Sequence, residues 1–285
     1  LRCACRNYRL RFDEQLLIYA QRPDATAVLE IERWNDKFGR WVNRGAKGIA
    51  VFEDAERSRQ RLTHYFDISD THASRYSRPV PLWDMKPEYA DDVIESLEST
   101  FGELENRESL ADAVLSAAKN AVEDNIPDYL GDLMYAADDS FLYGLSEDMI
   151  TAMYKKAVTN SVAYMMMTRL GIDTEPLFEA EDFTVITNFN TPETLNALGI
   201  ASSDIAEMGL GEISRTVLAL ERQNRIIADR EKPEYNKAEN KSERSFENER
   251  ADIHNAGRLQ SSRLDNAQAA GSDFGQVRSD RKSVV

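Results

Sequence analysis

The sequence has few of the residues that build catalytic and metal sites: its 285 residues include 2 cysteines and 3 histidines. Cys3 and Cys5 are separated by one residue, which favours neither an ordinary disulfide nor the C-x₂-C spacing of a zinc site. We therefore predict reduced thiols at a loose chain end, as expected in a reducing cytosol. His64, His72 and His254 are too scattered for a zinc site, so we predict hydrogen-bonding roles for them rather than metal binding or proton transfer.

Motifs for catalysis and cofactor binding are also missing. The sequence contains no G-x-x-x-x-G-K-[ST], no H-E-x-x-H, no H-x-E with C-x-x-C and no G-x-S-x-G. The 17 acids of residues 85–150 do not follow the pattern of a calcium-binding loop. We therefore predict no catalytic residue, no metal site and no cofactor within this stretch of chain.

Long apolar runs and a secretory signal are missing as well. The longest apolar stretches, such as residues 16–20 and 161–167, fall far short of the about 20 residues of a membrane-spanning helix. We expect a cytoplasmic protein that has no membrane partner. We also expect neither end to be native, because residues 280–285 can be encoded by a common sequencing adapter and residues 1–11 hold four arginines before a well-patterned helix.

Charge is distributed unevenly along a chain whose net charge is −15. Residues 1–84 carry 15 Lys and Arg against 12 Asp and Glu, whereas residues 85–150 carry 3 against 17. A chain that repels polyanions overall therefore concentrates its basic side chains in the first segment. Pro79, Pro81 and Pro87 lie where the balance changes, and we predict a domain junction there.

Hydrophobic periodicity predicts helices on both sides of this junction. Residues 13–21 form a short predicted helix, and residues 28–38 form an amphipathic one that ends at Gly39 in a left-handed C-cap. The later predicted helices are residues 90–100, 109–124, 147–171, 191–198 and 210–231, and residues 183–187 are a predicted lone strand. We thus predict an α+β module over residues 1–84, an acidic helical domain over 85–228 and a disordered linker over 229–285.

A predicted β-hairpin carries the candidate site. The β-prone residues 40–42 and 49–52 flank Asn43, Gly45 and Gly48, which are residue types of a hairpin turn. A third strand is predicted at residues 61–68, after a charged loop at residues 54–60. The cations Arg40, Arg44 and Lys47 cluster around the turn beside Trp41.

Cations that contact phosphate next to a ring on which a base stacks form a sequence-tolerant site for single-stranded nucleic acid. We therefore predict that Arg40, Trp41, Arg44 and Lys47 bind nucleic acid. The pattern leaves one alternative open, in which the basic turn is merely solvated and both Trp34 and Trp41 belong to the core.

Residues 12–25 (FDEQLLIYAQRPDA), followed by Trp34 and by Gly39-Arg-x-Val-x-x-Gly-x-Lys-Gly48, resemble the N-terminal domain of the ArdC antirestriction family. The resemblance covers about 40 residues and implies binding of single-stranded DNA. Members of that family also carry a metallopeptidase-like domain, but its H-E-x-x-H is missing here, so protease activity is not implied. The stacking role of Trp41 rests on the pattern alone, since that position is variable in the family.

The remainder is similar, more loosely, to the N-terminal part of large polypeptides carried by conjugative elements. This similarity rests on the segments DISDTH at residues 67–72, LW at 82–83, FNTP at 189–192, and GRL at 257–259 through GQVR at 275–278. Helicase or DNA-methylase regions typically lie downstream in those proteins. The resemblance therefore implies tethering to such a region and a role in handling the DNA of a mobile element.

Two functions of other classes remain alternatives. In the first, the acidic helical domain mimics DNA and occupies the cleft of a restriction enzyme; acids along one exposed face would favour it, and acids spread over every helix would not. In the second, the whole stretch is a protein-docking scaffold that does not bind nucleic acid.

Overall fold

The structure is a computed structural model that describes residues 1–55 and 59–231, without the side chains of residues 53–55, 59, 60 and 229–231. It confirms the α+β class, with small antiparallel sheets in the N-terminal part and helices after them. Leu1–Gln223 form one compact unit; of a second unit, Asn224–Val285, the described residues are the end of the last helix. The rest of the predicted linker, residues 232–285, lies outside the described residues.

The N-terminal part alternates short helices and strands. Its elements are α1 (Phe12–Gln21), β1 (Val28–Glu30), α2 (Ile31–Phe38), β2 (Arg40–Val42), β3 (Ile49–Ala55), β4 (Arg59–Asp67) and β5 (Thr71–Ala73). Helix α1 and the left-handed Gly39, at φ 61°, confirm the prediction. The single helix predicted over residues 28–38 is wrong at its start, because Val28 is buried and pairs with Asp67 in a strand, while Ile31 is 39% exposed.

The strand pairing differs from the predicted hairpin. β2 pairs with β5 instead of with β3, and β3 pairs with β4, so the order of the larger sheet is β1-β4-β3. Of the charged loop predicted at residues 54–60, the described residues 54, 55, 59 and 60 belong to strands for the same reason. β4 offers β3 a longer ladder than the three residues of β2 could, and it buries Ile49, Val51 and Tyr65 on one face. The predicted turn itself is present, since the Ala46 amide donates to the Asn43 carbonyl.

Helices make up the rest of the described chain. They are α3 (Ala90–Phe101), α4 (Leu110–Asn125), α5 (Pro127–Ala136), α6 (Glu147–Leu170) and α7 (Pro192–Glu231). The lone strand predicted at residues 183–187 is wrong, because Ala180–Asn188 form a 3₁₀ helix. Helix α5 was not predicted, and the helices predicted at 191–198 and 210–231 are one helix. The residues in between were not predicted as helix, and among them Gly209 touches Met166 of α6.

Two hydrophobic cores hold the compact unit together. The sheet core contains Cys3, Ile18, Ala25, Val28, Ile49, Val51 and Tyr65. The larger helical core contains Cys5, Tyr8 and Trp83 together with residues of the helices, including the methionines at 165–167. The cysteines are free thiols and both are buried, so the predicted loose end is instead a packed segment.

The N-terminal segment and α1 contact the helices directly. The Phe12 ring lies on Gly199 of α7, and the Gln15 side-chain amide donates to the Ser203 hydroxyl at 2.7 Å. These contacts cross the predicted boundary at residue 84, and the division into two domains there stays a prediction. Among the described helices, none has both the length and the apolarity to cross a membrane.

Candidate nucleic-acid interface

The predicted site lies on a two-stranded ribbon. The β3–β4 and β2–β5 ladders follow one another along the same two chain segments, residues 40–55 and 59–73, and we call these segments the ribbon. Between the ladders the Asn43 amide donates to the Asp70 carbonyl at 2.8 Å, which links the two strands across the break. The ribbon therefore brings the predicted turn, residues 43–48, next to residues that are distant in the sequence.

A buried carboxylate fixes the break between the ladders. Asp67 is 2% exposed, and its oxygens accept hydrogen bonds from the backbone amides of Thr26 (2.6 Å), Ala27 (3.0 Å) and Ser69 (3.0 Å). Burial disfavours ionisation of Asp67, but the hydrogen bonds from Ser69, Thr26 and Ala27 outweigh it and lower the pKa below its ordinary value. Asp67 thereby ties β1 to β4 and starts the turn that leads to β5.

Arg40 is held within the fold. Its Nε donates to the Thr71 hydroxyl at 2.7 Å, and its Nη2 donates to the Thr71 carbonyl at 3.0 Å. The side chain is half-buried, and its Nε and Nη2 are directed at β5 instead of at solvent. Among the four predicted site residues, Arg40 therefore supports the ladder that carries the others.

Trp41 is exposed, whereas Trp34 is core. The Trp41 side chain is 53% exposed and its cross-strand partner is His72. The His72 ring nitrogen Nδ1 lies 2.8 Å from the Asn43 side-chain oxygen, which is the kind of hydrogen-bonding role predicted for this histidine. Trp34 is fully buried and donates from Nε1 to the Phe66 carbonyl at 2.8 Å. The alternative that places both tryptophans in the core is therefore wrong for Trp41.

Arg44 and Lys47 are exposed on the turn, and the described residues offer neither of them an ion-pair partner. Gly45 has φ 86°, a conformation that a side chain disfavours. Gly48 touches the sheet so closely that a Cβ there would lie 2.9 Å from the Cβ of His64. The turn is thus held against the outer face of β4, and its two cations, Arg44 and Lys47, are exposed to solvent.

Four further residues belong to this region and were not among the predicted site residues, namely His72, Arg75, Tyr76 and Arg78. Tyr76 is 76% exposed, and the Arg75 guanidinium lies 4.9 Å from its ring centre. The Gly39 carbonyl accepts hydrogen bonds from the Ser74 and Ser77 hydroxyls, which holds this segment beside the start of β2. The sequence signal was the run Arg75-Tyr-Ser-Arg78, in which two cations flank an aromatic residue.

We call the exposed rings and cations around the β2–β5 ladder the ribbon-end surface. Its members are Trp41, Arg44, Lys47, His72, Arg75, Tyr76 and Arg78. It combines four cations with three rings, and the neighbouring carboxylate of Asp70, just before β5, is paired with Arg22. Such a surface can contact phosphates through its cations and bases through its rings.

Other kinds of site find less support in the described part of the chain. No group of three or more His, Cys, Asp and Glu side chains among the described residues is arranged to hold a metal ion. Comparison of the chain with protein-family models, with curated proteins and with solved structures found no match. The geometry and charge of the chain itself therefore carry the functional argument.

Proposed function

We propose that the N-terminal module binds single-stranded DNA through the ribbon-end surface. The observation that carries this proposal is the exposed Trp41, set in a ladder beside the cations Arg44 and Lys47, which have no ion-pair partner among the described residues. A large ring that remains in water is available to a base, and free cations are available to phosphates without losing an internal partner. The rigid ladder reduces the ordering cost of binding.

A single strand suits this surface better than a duplex. Stacking requires a base whose face is accessible, which a duplex hides in its helical stack. Because every base has such a face and the cations contact only phosphates, we expect little sequence preference. The resemblance to the ArdC N-terminal domain agrees with this choice of ligand.

The rest of the chain would then act as a connector. We propose that the helical domain and residues 229–285 tether the DNA-binding module to a helicase or DNA-methylase region of the same polypeptide. In this role the protein handles the DNA of a mobile element in the cytoplasm. The chain needs no catalytic group of its own for this task.

Binding of a fluorescent oligodeoxythymidine, followed by anisotropy at low salt, tests the proposal. Arg44→Ala/Lys47→Ala should weaken binding, and Trp41→Ala should cost about 1–3 kcal/mol of binding free energy. Lys156→Ala/Arg222→Ala is the matched control, because it removes the same charge from exposed positions on α6 and α7. Circular dichroism checks that each variant is folded.

The proposal requires that the control variant bind like the parent while the two ribbon variants bind less tightly. Equal weakening in the control would mean that only net charge matters. A parent that does not bind the oligonucleotide, or a folded Arg44→Ala/Lys47→Ala variant that binds as tightly as the parent, would exclude DNA binding by the ribbon-end surface.

One observation favours the docking-scaffold alternative. Tyr135 is 91% exposed, and Phe141 and Tyr143 are also exposed, in a part of the helical domain that contains Asp138 and Asp139. Exposed aromatic residues are enriched at surfaces that bind another protein. If Tyr135→Ala/Tyr143→Ala abolished association with the downstream region while DNA binding was unchanged, docking would be a second function of the chain.

The described acids do not favour the DNA-mimic alternative. They are spread over α3, α4, α5 and α6 and the loops between them. Five of the acids in residues 85–228 are paired with cations, in the ion pairs Glu88–Lys86, Glu98–Arg107, Glu105–Lys119, Glu123–Lys155 and Glu212–Arg215. A mimic of duplex phosphates would need these charges unpaired and in rows on one face.

A further inference from the structure

A second basic region lies in a groove with a volume of about 670 Å³. Five cationic side chains line it, Arg6, Arg9, Arg33, Lys37 and Arg169, together with the carboxylate of Asp84, and one of the five, Arg33, is paired with Glu30. The volume lies within the about 300–1,000 Å³ typical of ligand sites. We call this feature the basic groove. In a chain with a net charge of −15, such a local excess of positive charge favours an anionic ligand.

Arg169 lies in the groove without a carboxylate partner. Its guanidinium stacks 3.7 Å from the centre of the Trp83 ring and donates from Nη2 to the Trp83 carbonyl at 2.7 Å. Burial lowers the pKa of Arg169 below its ordinary value, although nearby Tyr8, Cys5 and Asp84 oppose the shift. Arginine that is removed from water is usually paired. None of the described carboxylates forms an ion pair with it, so an anion in the groove would supply the missing partner.

The walls of the groove are suited to a base or sugar. Leu29, Phe38 and Val80 are half-buried, and Leu82 is exposed on the same groove. An inorganic anion would leave this apolar surface in water, whereas a nucleotide unit would cover it. The chemistry of the groove therefore fits a ligand with both phosphate and apolar parts.

The groove adjoins the ribbon-end surface. Phe38 lines the groove and is followed by Gly39, against which the Ser74–Ser77 segment is held. The Arg78 amide donates to the Phe38 carbonyl at 2.8 Å, and the chain then continues into Val80, which also lines the groove. Exposed cations thus lie on both sides of this connection.

We propose that the basic groove binds the phosphodiester backbone of the same single strand, beyond the nucleotides held at the ribbon end. Arg6 and Lys37 are exposed and contact phosphates, and Arg169 in the groove pairs with a phosphate that reaches it. This inference rests on the proposed function and extends its footprint. It predicts that the groove contributes to the binding of long strands and not to that of short ones.

The test compares oligodeoxythymidines of about 4 and about 16 nucleotides, the range of single-strand site sizes. The full chain is titrated with each, as parent, as Arg6→Ala/Lys37→Ala and as the control Lys156→Ala/Arg222→Ala. The groove variant should bind the short strand like the parent but the long strand less tightly. For the long strand, the slope of the logarithm of the association constant against the logarithm of the salt concentration should decrease in magnitude by about 1.4, which is about 0.7 for each lost phosphate contact.

Arg169→Met provides a second readout, because the thioether chain keeps the packing on Trp83 and removes the charge. We expect weaker long-strand binding and an unchanged short-strand affinity. Thermal unfolding identifies any loss of binding that comes from misfolding of Arg169→Met. In that case Arg6→Ala/Lys37→Ala, which alters only exposed side chains, decides whether the groove binds the long strand.

The outcomes separate this inference from the proposed function. If the groove variant binds long strands like the parent while Arg44→Ala/Lys47→Ala does not, the groove inference is wrong and the ribbon-end proposal stands. If the parent binds no strand, both are wrong. If thymidine monophosphate binds the parent but not the groove variant, while strands bind both equally, the groove is a site for a free nucleotide and the proposed strand path is wrong.

Discussion

Replacing Asp67 by Asn should loosen the ribbon and lower the stability of the chain. The carboxylate is buried, and two of its hydrogen-bond donors, the Thr26 and Ala27 amides, bind one oxygen while the Ser69 amide binds the other. An amide side chain has only one acceptor oxygen. In either orientation its NH₂ group faces at least one backbone N–H that then has no acceptor.

The size of the effect follows from these bonds. The less costly orientation loses one hydrogen bond to a charged acceptor, worth about 1.5–3 kcal/mol, and weakens the remaining two by removing the charge. We expect Asp67→Asn to lower the free energy of unfolding by about 3 kcal/mol at neutral pH. For a unit of this size that corresponds to a decrease in Tm of about 6–12 °C.

The pH dependence provides the stricter test. Because folding lowers the pKa of Asp67, its contribution is present above the unfolded-state pKa of about 3.9 and is lost as the pH falls through the folded-state value. The free energies of unfolding of the parent and of Asp67→Asn, measured with urea, should therefore differ most at neutral pH and become similar in acid. Asp36→Asn, an exposed acid on α2, is the control and should change stability by less than about 0.5 kcal/mol. A difference below this value for Asp67→Asn, or one that does not shrink in acid, would refute the role given to Asp67.

Three further substitutions test the fold around the site by urea unfolding. Gly48→Ala should lower the free energy of unfolding by about 1–3 kcal/mol, because the new Cβ would lie 2.9 Å from the Cβ of His64. Gly131→Ala in α5 places its Cβ in open space, so it should be neutral or stabilising, and equal effects of the two substitutions would contradict the close approach at Gly48. Trp34→Ala should lower the free energy of unfolding by about 3–5 kcal/mol and Trp41→Ala should lower it little, because of these two only Trp34 is buried. A larger loss of stability for Trp41→Ala than for Trp34→Ala would be inconsistent with this fold. Arg40→Ala should lower the free energy of unfolding by about 1–3 kcal/mol, because its hydrogen bonds to Thr71 are lost, and it should weaken DNA binding only as far as it disturbs the ladder. If the variant kept full stability but failed to bind DNA, Arg40 would instead be a direct DNA contact.

Local patterns predicted the elements of the fold better than their pairing. Gly39, the turn at Asn43 and the start of α7 at Pro192 follow from the conformational preferences of single residues, and the structure has all three. The partners of β2 and β3 depend on which ladder buries more apolar surface, and that comparison involves the distant segments 59–67 and 71–73. A sequence-local turn signal cannot make that comparison.

The candidate site was predictable in part for the same reason. Exposed cations beside Trp41 could be inferred from the run of residues 40–48. That Arg40 is directed into the fold could not, because its acceptors on Thr71 come from a strand 31 residues away. The basic groove could not be predicted from the sequence, because Arg6, Lys37 and Arg169 are brought together only by the packing of the N-terminal segment, α2 and α6.

The salt dependence of single-strand binding tests the central claim most directly. The association constant of the parent and of Arg44→Ala/Lys47→Ala for an oligodeoxythymidine of about 16 nucleotides is measured over a range of salt concentrations. Two lost phosphate contacts should reduce the log–log slope by about 1.4, whereas Trp41→Ala should lower affinity and leave the slope nearly unchanged. A parent that does not bind, or a slope that is the same in the parent and the folded Arg44→Ala/Lys47→Ala variant, would contradict DNA binding at the ribbon end.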